Sequence, residues 1–258
     1  MWTYQHSDFL VHQIPALENN YIYVVADKHS DNVLVIDPAL AELVRDACKQ
    51  LNITPSHILN THHHWDHTDG NAQLVAWYGC EVVGNAADTK RIPHISKTIH
   101  AGESFDIGSL HIQSLDATGH TIGHIVYVID DALFCGDTLF GAGCGRLFEG
   151  SFAQMWTTLQ SLAALDEQTK IYCAHEYTLA NLSFANSVDG NNPELQARII
   201  KDTQTRNMKL PTIPSSIGLE KHTNPMLRAL DDDFCSAYNP GKTPLEVFTD
   251  IRSKRNVW

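Results

Sequence analysis

A dense group of side chains that bind metal ions and protons lies in the segment "NTHHHWDHTDGN", residues 60–71. Its members are His62, His63, His64, Asp66 and His67. Side chains two positions apart in an extended segment point to the same side, so His62 and His64 can converge on one metal ion while His63 points away. Asp66 and His67 follow where the chain begins to turn, so they can face a neighbouring point. The spacing predicts two ligands for each of two metal ions.

Three further candidate ligands stand singly at the ends of predicted strands. His120 follows the strand predicted at 110–117, Asp137 follows the apolar run "ALFC", and His175 follows "KIYC". Loops at strand ends converge while the sheet holds them rigid, which is why sites form there. Nitrogen and carboxylate ligands without thiolate suit zinc, iron or manganese. We expect two divalent metal ions per chain, zinc first, with iron or manganese as alternatives.

The elements that position these residues alternate between strand and helix over the first two thirds of the chain. β-Branched and aromatic runs predict strands, and apolar residues at helical spacing predict helices. Strands are predicted at 20–27, 32–38, 56–61, 110–117, 124–131, 132–139 and 170–176, and helices at 39–52, 70–79 and 152–165. After about residue 178 the strand patterns vanish, and helices are predicted at 178–187, 192–210 and 243–256. We therefore predict an α/β domain over 1–178 and a smaller helical domain over 179–258.

Charge and cysteine content exclude several classes of protein. The net charge is −12, from 30 acidic and 18 basic residues, whereas nucleic-acid binders usually carry a basic face. The six cysteines are scattered with no C-x-x-C pair, which indicates reduced thiols in a cytosolic setting. The start shows no secretory pattern, and no apolar run approaches the roughly 20 residues that cross a bilayer. We expect a cytoplasmic monomer that binds neither nucleic acid nor membrane.

The complete motif set resembles a known superfamily. T-H-x-H-x-D-H, followed by G-H-T, by G-D-T and by a strand-terminal His, is similar to the metallo-β-lactamase superfamily. Within it, the whole chain resembles glyoxalase II, the hydroxyacylglutathione hydrolases, through "NNYIYVV", "GCGRLFEG", "AHEYT", "TNPMLR" and "RSKR". The resemblance implies an αββα sandwich as the catalytic domain and a helical C-terminal domain that binds substrate.

The same resemblance implies a role for each candidate ligand. The first metal ion would be held by His62, His64 and His120, the second by Asp66, His67 and His175, and Asp137 would bridge both. Two such ions can share a hydroxide, held in place by Asp66 and Asp137, that attacks a thioester. A thiol leaving group with a pKa near 8.5 departs as thiolate. The implied reaction converts S-D-lactoylglutathione to D-lactate and glutathione, the second step of methylglyoxal detoxification.

Substrate contacts are implied for a basic and aromatic set outside the metal ligands. The set comprises Arg146, Phe148, Tyr177, Arg252 and Arg255. The chain has Arg146 and Arg255 where the family often has lysine, which keeps the charge. It has Phe148 where the family often has tyrosine, which removes a hydroxyl. Lys254 adds a third basic residue to the last seven positions. A basic final turn also stabilises a helix through its dipole alone, which is the alternative for these cations.

Other activities remain open at this level. The same scaffold could carry a persulfide dioxygenase or another metallohydrolase. A β-lactamase of this fold usually has Cys at the position of Asp137, and a nuclease needs a basic surface that the composition does not indicate. A non-catalytic metal-binding protein that uses the helical tail as its partner surface would bind metal without turnover. Because one fold hosts many reactions, the site must decide.

Overall fold

The computed structural model describes residues 1–258 and divides into two compact units. The first comprises Met1–Ala117 and Ile122–Gly136, and the second comprises Thr118–Thr121 and Asp137–Trp258. No helix combines the length and the apolar character that spanning a membrane would require.

Strands dominate the first unit. They are β1 Trp2–Gln5, β2 Phe9–Ala16, β3 Asn20–Asp27, β4 Val33–Ile36, β5 His57–Leu59, β6 Glu81–Asn85, β7 Lys97–Ile99, β8 Ser104–Ile107, β9 Leu110–Asp116, β10 Ile125–Ile129 and β11 Ala132–Gly136. The helices are α1 Ala41–Leu51, α2 Trp65–Thr68 and α3 Asn71–Tyr78. The first seven strands form one sheet in chain order, antiparallel from β1 to β4 and parallel from β4 to β7. Strands β8 to β11 pair antiparallel in a second sheet.

The core of the first unit lies between α1, α3 and the seven-stranded sheet. Val44 and Leu74 from these helices pack with Val24 and Ile58 of the sheet, and all four side chains are fully buried. The second sheet contributes Phe134, whose ring meets Tyr23 edge-on with 5.7 Å between centroids. The predicted helix at 70–79 is confirmed and ends at Gly79, whose φ of 71° suits a residue without Cβ.

Helices dominate the second unit. They are α4 Phe152–Ala163, α5 Thr178–Asp189, α6 Pro193–Asn207, α7 Ile217–Thr223, α8 Pro225–Arg228, α9 Asp232–Tyr238 and α10 Pro244–Arg255. Its strands are β12 Leu139–Phe140, β13 Gly143–Cys144, β14 Lys170–Cys173 and β15 Ser215–Ser216. The expectation that strands cease after residue 178 is wrong at one place, since β15 pairs antiparallel with β14. A stretch of two serines carries no apolar alternation from which a strand could be predicted.

Candidate active site

The loop after β5 brings His62 and His64 together. Nε2 of the buried His62 lies 2.9 Å from Nδ1 of His64, as the alternation of an extended segment predicts. The imidazole of His124 stacks on His62, with 4.6 Å between the ring centroids. Asn60, at the start of the loop, is held through its carbonyl by the hydroxyl of Tyr127 at 2.9 Å. The loop is therefore fixed at the end of its strand.

His63 points elsewhere. Its Nδ1 lies 3.3 Å from Oδ2 of the fully buried Asp88, whose carboxylate also pairs with Nε of Arg91 at 2.9 Å. This placement agrees with the expectation that His63 faces away from His62 and His64.

Asp66 and His67 lie on the short helix α2, which was not predicted from the sequence. Nε2 of His67 is 3.6 Å from Oδ2 of Asp66, and the same carboxylate oxygen accepts a hydrogen bond from Nδ2 of Asn20 at 3.0 Å. The ring of His67 also lies 4.2 Å from that of His62, between centroids. The first unit thus gathers all four of its predicted ligands at one end of the seven-stranded sheet.

Asp37 supports this group and was not predicted. It follows β4 with a φ of 49°, and its carboxylate accepts hydrogen bonds from the amide of Thr61 at 2.8 Å and from the Thr61 hydroxyl at 2.7 Å. Nδ1 of His67 lies 3.0 Å from the same carboxylate. The sequence pattern that could have revealed it is the one used for Asp137, an acidic residue directly after an apolar strand, here "VLVIDP".

In the second unit, one carboxylate lies between two histidines. Nε2 of His120 is 3.4 Å from Oδ2 of Asp137, and Nε2 of His175 is 3.1 Å from Oδ1. All three residues are buried. Each imidazole therefore faces a different oxygen of Asp137, an arrangement that suits a carboxylate shared by two metal ions.

Steric crowding explains why a glycine precedes Asp137. Gly136 ends β11 with a φ of 49°, and a Cβ at this position would lie 2.3 Å from Oγ1 of Thr61 and 2.9 Å from Nε2 of His124. Any side chain would push against the residues that support His62. The Gly of the "G-D-T" motif is thus required by a close approach of the backbone.

In three histidines, the hydrogen-bond partner of Nδ1 determines which ring nitrogen carries the proton. Nδ1 of His120 lies 2.7 Å from the Arg146 carbonyl, which only accepts, so Nδ1 carries the proton. Nδ1 of His67 donates to the Asp37 carboxylate in the same way. Nδ1 of His62 is 3.0 Å from Oγ1 of Thr61, whose own proton is donated to Asp37. Each Nε2 is left with a lone pair, as a metal ligand requires.

These donors fit divalent metal ions. Two ligands at about 2.0–2.1 Å from one tetrahedral zinc ion lie roughly 3.3 Å from each other. The separations of 3.1 and 3.4 Å around Asp137 are of this size. No cysteine takes part, so the donor set consists of imidazoles and carboxylates. The fit concerns the chemistry and spacing of the donors and leaves the metal open.

A pocket of about 290 Å³ opens beside Asp137 in the second unit. Its walls contain two of the predicted metal ligands and every residue predicted to contact substrate. The lining residues are His120, Asp137, Phe140, Cys144, Arg146, Phe148, Tyr177, Asn181, Arg252 and Arg255. Phe140, Cys144 and Asn181 were not predicted as pocket residues.

Three arginines make the pocket strongly positive. Arg252 is only 5% exposed, and its guanidinium donates to the Cys144 carbonyl at 3.0 Å and to Oδ1 of Asn256 at 2.6 Å. Arg255 is half-buried and its Nε and Nη2 approach Oδ1 of Asn181 at 3.3 and 3.2 Å. Burial, together with the neighbouring charges of Arg252 and Arg146, lowers the pKa of Arg255. Three arginines therefore line one pocket of a chain whose net charge is −12.

Lys254 is not part of this group. Its ammonium lies 3.1 Å from Oδ2 of Asp250 and 2.8 Å from the Tyr238 hydroxyl. These contacts raise its pKa. Of the three basic residues at the end of the chain, the two arginines line the pocket and the lysine does not.

Aromatic rings border both pocket histidines. Tyr177 stacks on His175 with 4.8 Å between centroids and an interplanar angle of 4°. Phe140 meets Tyr177 edge-on at 5.3 Å. Phe148 meets His120 edge-on at 5.2 Å and is 62% exposed. Phe148 therefore offers an open apolar face at the rim.

Comparison with known proteins decides the family. The metallo-beta-lactamase superfamily model matches residues 16–175, and the model for the hydroxyacylglutathione hydrolase C-terminus matches residues 176–258. A hydroxyacylglutathione hydrolase of Rhodospirillum rubrum is 47% identical over 95% of this chain and 97% of that protein. The chain belongs to the hydroxyacylglutathione hydrolase family. The predicted family resemblance is confirmed.

Other members and solved structures agree with this placement. A hydroxyacylglutathione hydrolase of Methylococcus capsulatus is 44% identical over 95% of this chain and 97% of its own length. The crystal structure of ETHE1 from Myxococcus xanthus superposes with a TM-score of 0.70 at 25% identity, covering 95% of this chain and 91% of that one. The predicted fold class, a metallo-β-lactamase-like α/β fold with a C-terminal helical domain, is confirmed.

Proposed function

We propose that this chain hydrolyses the thioester of S-D-lactoylglutathione to D-lactate and glutathione. The observation that carries the proposal is the pocket beside Asp137, in which His120 and three arginines line the same space. Hydrolysis of a glutathione thioester needs a hydrolytic centre and a surface that binds anions. The names of the family members in Rhodospirillum rubrum and Methylococcus capsulatus support the same activity.

Two divalent metal ions, zinc before iron or manganese, complete the proposed centre. The proposed ligands of the first ion are His62, His64 and His120, those of the second are Asp66, His67 and His175, and Asp137 serves both. The two histidines on opposite oxygens of Asp137 support the shared role. Bound divalent ions lower the pKa of water and stabilise negative charge that develops on oxygen.

The protein's own contribution to the centre is orientation. Asp37 and Thr61 fix the ring of His67 and the ring of His62 through their Nδ1 atoms. The backbone carbonyl of Arg146 does the same for His120. Rings held at the outer nitrogen cannot rotate away from the carboxylates, so the reacting water meets a fixed set of groups.

Recognition of glutathione is assigned to the three pocket arginines. Glutathione has two carboxylates, and a guanidinium can bind a carboxylate through two parallel hydrogen bonds. Nε of Arg252 is buried and has no acceptor in the protein, and a buried donor without an acceptor costs free energy. Tyr177 and Phe148 supply apolar surface near the acyl group. The leaving thiol departs as thiolate, so no general acid is required beside the scissile bond.

We further place this activity in methylglyoxal detoxification in the cytoplasm. All six cysteines are free thiols and buried, which supports a reducing compartment.

The deciding experiment is hydrolysis of S-D-lactoylglutathione before and after chelation. A lactoyl thioester of a small uncharged thiol serves as the matched substrate. We expect turnover that chelation abolishes and that metal restores, with kcat/KM far lower for the small thioester. Protein that contains metal but does not cleave either thioester would refute the proposal, and persulfide oxidation would then be assayed.

A further inference from the structure

The hairpin formed by β12 and β13 forms part of the pocket wall in the second unit. It starts two residues after Asp137 and ends directly before Gly145 and Arg146. Its register pairs Leu139 with Cys144 and Phe140 with Gly143. Phe140 and Cys144 both line the pocket. Any displacement of this hairpin would therefore move part of the pocket wall.

The turn of the hairpin contains a residue in an unfavourable backbone conformation. Ala142 has a φ of 56°, a left-handed conformation that residues with a Cβ adopt rarely. Its side chain is buried in a small apolar cluster with Leu182, Ala185 and Leu195. A strained backbone of this kind persists only where the surroundings determine it, so the contacts of Ala142 matter.

The fully buried carboxylate of Glu220 provides the decisive contact. Its Oε2 accepts a hydrogen bond from the Ala142 amide at 2.8 Å and another from Nδ2 of Asn224 at 3.1 Å. The same Nδ2 donates to the Gly143 carbonyl at 2.9 Å. Glu220 therefore binds the turn of the hairpin, and Asn224 binds the carbonyls of Phe140 in β12 and Gly143 in β13.

The other carboxylate oxygen is anchored behind the hairpin. Oε1 of Glu220 accepts from Nη2 of Arg198 at 2.7 Å and from the hydroxyl of Ser215. Arg198 is itself buried and also pairs through Nε with Asp202 at 3.2 Å. Asp202 forms no hydrogen bond with the hairpin. The arginine therefore has two carboxylate partners, of which only one reaches the pocket wall.

The far side of the hairpin meets the substrate-binding groups. The edge of Phe140 contacts the ring of Tyr177, and the Cys144 carbonyl accepts from Nη1 of Arg252. The proposed recognition groups are thus aligned against a wall that Glu220 fixes from behind.

We infer that Glu220 is a positioning residue for the substrate pocket, because its buried carboxylate sets the β12–β13 hairpin against Tyr177 and Arg252. This inference rests on the proposed thioesterase function. Glu220 does not line the pocket, so its effect passes through the hairpin. Substrate affinity should depend on it more than the chemical step does.

The test compares Glu220→Gln with Asp202→Asn. Each variant removes one negative charge from beside Arg198, but only the first disturbs the hairpin contact. A glutamine has a single acceptor oxygen, so it cannot accept from both the Ala142 amide and Arg198 as the carboxylate does. A hydrogen bond to a charged group changes an equilibrium constant by roughly tenfold or more. For Glu220→Gln we expect KM for S-D-lactoylglutathione to rise about tenfold, with kcat within about threefold of wild type. For Asp202→Asn we expect both constants within about twofold.

Equal KM values for the two variants, or a fall in kcat alone for Glu220→Gln, would overturn the inference. Thermal unfolding scans establish that both variants are folded. If Glu220→Gln does not fold, Glu220→Asp carries the same test, since it keeps the charge beside Arg198 while shortening the reach to Ala142.

Calorimetric titration with glutathione separates this inference from the proposed function. If the wild-type protein cleaves no thioester but binds glutathione, the thioesterase proposal fails, and a tenfold weaker affinity in Glu220→Gln alone would still support the positioning role. Wild-type protein that neither cleaves the thioester nor binds glutathione would refute both.

Discussion

Replacing Arg252 by glutamine is expected to raise KM for S-D-lactoylglutathione by roughly 30- to 160-fold. Arg252 is 5% exposed, so the contact proposed between its guanidinium and a substrate carboxylate would be largely shielded from water. Contacts of this kind contribute about 2–3 kcal/mol, and each 1.36 kcal/mol corresponds to a factor of ten. The role proposed for Arg252 is to bind a glutathione carboxylate and not to take part in bond cleavage, so kcat should change far less than KM.

Arg146 provides the matched control because it lines the same pocket but is exposed. Exposed charge pairs contribute about 0.2–1 kcal/mol, so Arg146→Gln should raise KM by about fivefold at most. Its backbone carbonyl, which holds His120, is unaffected by the substitution. Steady-state rates at several ionic strengths, followed by loss of the thioester absorbance, give both constants. Equal increases for the two variants would show that burial does not set the strength of these contacts.

Three further outcomes are expected. Asp137→Asn should lose bound metal, measured by elemental analysis, together with at least a hundredfold of kcat, since an amide bridges two cations poorly. Phe148→Tyr should lower KM about two- to fivefold, because the new hydroxyl adds one hydrogen bond at the pocket rim. Burial raises the pKa of Asp27, but hydrogen bonds from Ser109, Ser30 and His29 outweigh it and lower the pKa to about 2. Asp27→Asn should therefore reduce the free energy of unfolding at neutral pH, and urea titrations should show the difference shrinking as pH falls from about 4 towards 2. A difference that persists at pH 2, metal retained by Asp137→Asn, or an unchanged KM in Phe148→Tyr would contradict the respective arguments.

Strands and helices could be predicted from the sequence where the hydrophobic pattern of the segment was clear. Apolar β-branched runs predicted β3 and β4, and helical spacing predicted α1 and α4. The pleat period alone predicted that His62 and His64 converge while His63 points away. The strand β1, "WTYQ", was missed although its aromatic and polar residues alternate, because the run is only four residues long and even its aromatic side chains are only partly buried.

Supporting residues could not be predicted because their role arises from tertiary contacts. Asp37 contacts Thr61 and His67 only in the folded chain, where the segments that carry these residues pack together. No local sequence pattern indicates these contacts. The helical phase explains why Lys254, although it is basic, does not line the pocket. On α10, Arg252 and Arg255 are three positions apart and share a face, whereas Lys254 lies on another face and pairs with Asp250 four residues earlier.

Cys144 gives the pocket a chemical property of its own. A thioester bound beside a cysteine invites acyl transfer to that sulfur, which would leave the protein acylated. Only the thiolate attacks, and burial raises the pKa of Cys144 despite the nearby charge of Arg252. The thiol therefore stays protonated at neutral pH, with its hydrogen turned to the Gly145 carbonyl. For the proposed thioester substrate, the protonated thiol would suppress trans-thioesterification and leave water as the acyl acceptor.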